Sequence, residues 1–158
     1  MIGDKRAARR HQEYLDERRR DRERELRTTL DRAAALTGML LVMRPDTWHH
    51  LRRRPHLATL LAGLDATRFH GHPAGLDALM TVALSGPQLV HLAAVLHADM
   101  ESDGTDPAER AARAIARRLY PVLAPAISAA HPGSPYLEPA PASTRKMPMV
   151  VLDSPDNA

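Results

Sequence analysis

Apolar residues recur at helical spacing along the first third of this chain. Between residues 12 and 43 they fall three, four, seven or eleven positions apart, the period of one face of an α-helix. The line is formed by Leu15, Leu26, Leu30, Ala33, Thr37 and Leu40. The spacing predicts one long helix over residues 12–43, polar on all sides in its first half and amphipathic in its second. The residues before Gln12 are expected to fray, because their basic side chains lie at the positive end of the helix dipole.

Two start signals predict well-defined helices further along the chain. Ser85 and Gln88 match a capping box, in which two side chains each bond a free backbone N–H of the first turn. A helix is therefore expected from this point to about Met100. Asp106 followed by Pro107 predicts a second start, with an N-cap acid and a proline in the first turn. Two prolines are expected to kink or divide this helix before it ends near residue 130: Pro121 and Pro125.

Shorter helices are predicted between these long ones. Asp46 is suited to cap a turn that contains Trp48 and Leu51, and Pro55 suits the first position of the next helix. A turn is expected over residues 69–73, where glycine and proline follow one another closely. A further apolar stripe then predicts another helix: Leu76, Leu79, Met80 and Ala83.

The chain after residue 130 is rich in proline and serine and is typical of a linker. It carries one short apolar run: Met149, Val150, Val151 and Leu152. Two interpretations of this run are open, since it can add as a strand to a partner's sheet or fold back onto its own body. The predicted organisation is a charged arm over residues 1–25, a helical bundle over 26–130 and a tail over 131–158.

The fold class predicted from these patterns is all-α, a compact bundle of five or six helices. A long, charged N-terminal helix projects from it and a Pro-rich tail follows it. Only 3% of the residues are aromatic, so Leu, Ala, Val and Met must build the core, which suits helix packing. Self-association through the face from Leu26 to Leu40 is one expectation of this arrangement.

Composition and the length of the apolar segments predict the cellular compartment in which the protein works. There is no cysteine, so disulfides and thiol chemistry are excluded. The first 25 residues contain no apolar segment of the kind a signal peptide needs. The longest apolar run, over residues 33–43, is about half the ~20 residues of a membrane span. These features predict a cytoplasmic protein, and the abundance of Arg, Ala and Pro suggests a bacterial source.

Charge is distributed unevenly along the chain. The formal net charge is +3, and residues 1–11 carry four basic side chains against one acidic. Basic and acidic residues are equal in number over residues 12–32 and again over 33–158. The whole excess therefore lies in a basic arm that runs from Lys5 to Arg10. The balanced helix behind it is better suited to a mixed-charge protein surface than to phosphate.

The function predicted on these grounds is a non-enzymatic binding protein, an adaptor or subunit of a larger assembly. Its partners are expected to be another protein or a second copy of itself. The predicted contact residues lie in the arm, the charged helix and the tail: Lys5, Arg6, Arg9, Arg10, Arg18, Arg19, Arg22, Met149, Val150, Val151 and Leu152.

The alternative is a DNA- or RNA-binding accessory protein that uses arginine clusters on phosphates. The residues that would serve it are Arg52, Arg53, Arg54, Arg110, Arg113 and Arg117. Trp48 beside the first cluster could stack on bases. A tryptophan in a chain so poor in aromatics is more commonly buried, so the pattern favours a core position for it.

No catalytic or metal-binding signature accompanies these features. The chain has no nucleophile elbow, no phosphate-binding glycine loop and no H-E-x-x-H spacing. His70 and His72 form a possible ligand pair, but His91 and His97 lie six residues apart and face different sides of a helix. The five-residue turn from Asp103 to Pro107 is also longer than the three- or four-residue turn of a helix-turn-helix motif. The sequence thus predicts no enzymatic activity, cofactor or metal.

Overall fold

A computed structural model of the protein describes residues 2–68, 79–130 and 147–153. Five helices and four short strands occupy these residues, so the protein is mostly helical but not purely so. In chain order the elements are α1 (Ile2–Ala35), β1 (Gly38–Met43), α2 (Pro45–Arg53), α3 (Pro55–Leu61), β2 (Thr67–Arg68), β3 (Met80–Ser85), α4 (Gly86–Glu101), α5 (Pro107–Ala129) and β4 (Met149–Val151).

The all-α prediction is wrong in one respect, because a small sheet lies within the helical body. The four strands follow the order β2-β3-β1-β4. β1 pairs antiparallel with β3, from Gly38 opposite Ser85 to Met43 opposite Met80. The predicted long helix therefore ends at Ala35, and its last apolar residues belong to a strand. Five of the six β1 residues are buried, and such a continuous apolar run has no period to separate strand from helix.

The segment leading into β3 was also predicted as a helix. Residues 80–85 form a strand instead, and Val82 and Leu84 are buried while Ala83 and Ser85 are exposed. This alternation is the strand period of two. Leu76, which shared the predicted stripe, and the predicted turn over residues 69–73 lie outside the described residues.

The C-terminal run folds back onto its own body, which decides between the two interpretations of the tail. β4 pairs parallel with β1, with Val150 opposite Leu41. The Leu40 N–H donates to the Pro148 carbonyl, and the Leu152 N–H donates to the Val42 carbonyl, each at 2.8 Å. The linker expected over residues 131–146 lies outside the described residues.

Both predicted start signals are confirmed. The Ser85 hydroxyl accepts from the Gln88 backbone N–H, and the Gln88 side chain accepts from the Ser85 backbone N–H, so the capping box of α4 is complete. Asp106 caps α5 by accepting from the Ala108 N–H at 3.3 Å. α5 then continues through both of its interior prolines to Ala129.

α4 is the central element of the fold, since α1, α3, α5, β1 and β3 all contact it. Its start crosses the end of α1 closely. A Cβ added at Gly86 would lie 2.8 Å from the Ala33 carbonyl oxygen and closer still to that of Leu36. Only glycine allows this approach. The core around α4 is aliphatic apart from one tryptophan, and its fully buried large side chains include Leu41, Leu51, Leu57, Leu84, Leu89, Leu92, Leu96, Leu119 and Leu123.

Candidate protein-binding surface on the N-terminal helix

α1 extends well past the helix that supports it. Its C-terminal half lies antiparallel to α4, because Ala33 meets Gly86 at the start of α4 and Arg22 pairs with Glu101 at its last residue, at 3.9 Å. Residues 5–21, here named the overhang, lie beyond this pair and span about 26 Å at 1.5 Å per residue. Every overhang side chain is exposed except that of Asp16, which is half-buried.

The base of the overhang is held firmly in the body. Thr29 and Ala33 are buried. Tyr120 of α5 hydrogen-bonds Thr29 and stacks edge-on against His97 of α4, with ring centroids 5.3 Å apart. Burial raises the pKa of Tyr120, the Thr29 hydrogen bond lowers it by less, and nearby Glu25 adds to the rise. The phenol is therefore held neutral at the junction of the three helices.

The face of α1 that meets the body continues along the overhang. Each residue turns an α-helix by about 100°, so Leu15 lies close to the direction of Arg22 and Thr29. We name the residues on this line the inner stripe: Ala8, His11, Leu15, Arg18, Arg19 and Arg22. From residue 5 to residue 22 the inner stripe contains no carboxylate. The overhang's acids lie on other sides of the helix: Glu13, Asp16, Glu17 and Asp21.

Apolar and aromatic groups accompany the basic side chains of the overhang. Leu15 is 42% exposed and Tyr14 beside it is 51% exposed. The Arg18 guanidinium lies 5.4 Å from the centre of the Tyr14 ring, and its Nε donates to the Tyr14 hydroxyl at 2.9 Å. The overhang therefore presents a mixed surface of leucine, tyrosine and arginine.

The basic side chains of the arm differ in their contacts and in the side of the helix on which they lie. Helical structure begins at Ile2, and the arm forms the first turns of α1 in place of the expected frayed end. Arg9 pairs with Glu13 at 3.0 Å, and the Arg10 Nε donates to the Arg6 carbonyl at 3.4 Å. Lys5 is exposed. Arg6 and Arg10 lie on the side of the helix opposite the inner stripe, so the predicted contact residues of α1 divide between two faces.

The predicted contact residues of the tail are largely used within the chain. Val150 and Leu152 are buried in the core, and Val151 is half-buried. Met149 alone among these four is exposed, at 53%. The face from Leu26 to Leu40, where self-association was expected, is likewise covered, because Leu30 packs on the core and Leu40 belongs to β1.

One interaction that fixes the tail was missed by sequence reasoning. The Asp153 carboxylate is 3% exposed and pairs with the Arg118 guanidinium at 3.1 Å. Its other oxygen accepts from the Arg44 backbone N–H at 2.7 Å. Arg118 also donates to the Thr47 hydroxyl at 3.0 Å. The partners are 35 or more residues apart in sequence, so no local spacing signals this cluster.

The arginines proposed for phosphate binding are divided between solvent and the body. Arg52, Arg53, Arg110 and Arg117 are exposed. Arg54 forms an ion pair with Asp99, and Arg113 donates to the Gly104 carbonyl at 2.7 Å. Trp48 is 3% exposed with the Arg52 guanidinium 5.7 Å from its ring centre, as expected for a core tryptophan.

An open cleft of about 610 Å³ lies where α3 begins and α4 ends. It is lined by Arg54, His56, His91, Ala94, Val95, Ala98, Asp99, Ser102 and Glu109. The Arg54 guanidinium and the Asp99 carboxylate in this lining form an ion pair and neutralise each other. Within the described residues, no group of three or more His, Asp or Glu side chains is arranged to hold a metal ion. His70 and His72 lie outside the described residues.

Comparison of the chain with protein-family models, curated proteins and solved structures gives no match. A search of the described helices for a membrane span finds none that is both long and apolar enough.

Proposed function

We propose that this protein is a non-enzymatic adaptor or subunit of a larger assembly, and that it engages its partner protein through the overhang. The overhang of α1 carries this proposal. A helical segment about 26 Å long extends from the body with every side chain exposed except the half-buried Asp16, while its base is fixed to α4 and α5. A rigid base with an exposed arm presents a preformed surface, which lowers the entropy lost on binding.

The exposed side chains support a protein partner. Tyr, Arg and Leu are concentrated at Tyr14, Leu15 and Arg18, and aromatic residues and arginine are enriched at the centres of protein interfaces. Met149 at the sheet edge is a smaller second contact in this proposal, since Val150 and Leu152 serve the core.

Removal of residues 1–21 tests the proposal. The truncated chain retains Arg22, Thr29 and Ala33, so its body is expected to unfold with the same cooperative transition as the full chain. The two chains are compared as baits in extracts of the native host, and a captured protein is then purified and mixed with each. A complex of fixed stoichiometry that forms only with the full chain is expected. A partner that binds both chains equally would refute the role of the overhang.

Nucleic-acid binding is the second proposal, and one observation favours it. The inner stripe offers Arg18, Arg19 and Arg22 without an interposed carboxylate, which is how phosphate-binding helices are arranged. Binding of a random duplex would weaken steeply with salt, since each phosphate contact releases counterions. The ion pair of Arg54 and the hydrogen bond from Arg113 to the Gly104 carbonyl make this proposal weaker than the first, because those two guanidinium groups already bond within the body.

A further inference from the structure

We infer that the inner stripe of the overhang binds an acidic amphipathic helix of a partner protein, which lies antiparallel to α1 in line with α4. This inference rests on the proposed function and names the chemistry of the partner. The packing of α1 against α4 in the body provides the template for it.

The first observation is where α4 stops. It supports the inner side of α1 from Ala33 out to Arg22 and ends at Glu101. The same side of α1 continues for nearly five more turns, over which the side chains of the inner stripe are exposed. A second helix laid end to end with α4 would extend the existing antiparallel packing along the overhang.

The second observation is the positive charge of the inner stripe beyond the end of α4. The last pair of the body joins Arg22 to a carboxylate, Glu101. The turns beyond it present Arg18 and Arg19 on the same stripe, and no acid among the described residues of that stripe neutralises them. A helix that repeats the position of Glu101 with further carboxylates would continue the pairing. A second copy of the overhang does not meet this need, because its own inner stripe is basic.

The third observation is the position of Leu15. It lies at the middle of the inner stripe, 42% exposed, with Ala8 two turns away on the same side. An apolar residue here gains from a leucine or similar group on a partner helix, whereas a phosphate backbone gains nothing from it. The apolar area is small, so a moderate affinity that depends on salt is expected.

A synthetic peptide provides a defined probe. It has 19 residues, with three leucines at seven-residue spacing on one side and glutamates flanking them. The comparison probes are a peptide of the same composition with the leucines scattered around the helix, poly-glutamate, and a random DNA duplex. Binding of each labelled probe to the full chain is measured by fluorescence anisotropy at low and moderate salt.

Matched variants separate the inner stripe from the other sides of α1. Arg18→Glu with Arg19→Glu reverses the inner stripe, and Arg20→Glu with Arg27→Glu makes the same net charge change at exposed positions elsewhere on the helix. The inner variant is expected to bind the amphipathic peptide at least about tenfold more weakly, since two pairings become repulsions. The control is expected to stay within about threefold, and circular dichroism checks that both variants keep their helix.

Three results would overturn the inference. The first is that the intact chain binds poly-glutamate or the scattered peptide as tightly as the amphipathic peptide. The second is that the control variant loses as much affinity for the amphipathic peptide as the inner variant does. The third is that the DNA duplex binds as tightly as the peptide and that Leu15→Ala leaves peptide binding unchanged. The proposed function is judged separately. A partner that needs the overhang but still binds the inner variant would keep the function and refute this inference.

Discussion

The buried carboxylate of Asp153 allows a prediction that tests how the C-terminal strand is held. It joins three distant parts of the chain through the Arg118 guanidinium, the Arg44 backbone N–H and, by way of Arg118, the Thr47 hydroxyl. Asp153→Ala removes an ion pair from one carboxylate oxygen and a charge-assisted hydrogen bond from the other. Bonds of this kind to a charged group typically contribute about 1.5–3 kcal/mol each.

The expected loss is smaller than the sum of two such bonds. The Arg118 side chain is 37% exposed, so water can solvate the guanidinium once its partner is gone. Arg44 is also exposed, and its N–H can bond water. We therefore expect the free energy of unfolding to fall by about 2–3 kcal/mol, below the 3–5 kcal/mol typical of a fully buried pair.

Urea unfolding followed by circular dichroism measures this loss. With a slope of about 2 kcal/mol per molar urea, the midpoint should fall by about 1 M. Asp31→Ala, which removes an exposed carboxylate from α1, is the control and should change stability by less than about 0.5 kcal/mol. A double-mutant cycle with Arg118→Ala isolates the ion pair. An Asp153→Ala midpoint equal to that of the control would show that the carboxylate does not hold the tail.

Three further predictions address the body. Gly86→Ala should lower the free energy of unfolding by about 2 kcal/mol or more, because its Cβ would meet the carbonyls at the end of α1. Gly63→Ala is the control and should be nearly neutral, since nothing lies within 4 Å of the added Cβ. Equal melting temperatures of the two variants would refute this reasoning. Ser85→Ala should cost about 1 kcal/mol in thermal unfolding through loss of the capping box, and a Ser85→Thr variant should restore most of it. Burial and then the Arg54 charge lower the pKa of His50, with Asp99 opposing them, so the folded state resists protonation. Stability should therefore be full above the ordinary histidine pKa of about 6.5 and decrease as the pH falls below it, and urea midpoints of His50→Gln should lose this slope.

The sequence predicted the helix starts that are fixed by hydrogen bonds between residues close together in the chain. The starts of α4 and α5 were predicted correctly because Ser85, Gln88 and Asp106 bond backbone groups within three residues of themselves. The strands could not be predicted in this way. β1 and β4 are defined by partners more than 35 residues away, and a buried apolar run such as residues 38–43 fits a helix as well as a strand.

The overhang shows why charge must be read by face as well as by composition. Counted along the chain, residues 12–32 are neutral, and that balance counted against phosphate and in favour of a mixed-charge partner. The helical register, fixed by the buried Thr29 and Ala33, separates these charges around the axis. One side carries Arg18, Arg19 and Arg22, and the acids lie elsewhere. The partner's surface is then expected to be acidic on the contacting side, and Leu15 becomes the residue that distinguishes a protein helix from a phosphate backbone, because only the former has an apolar group to offer it.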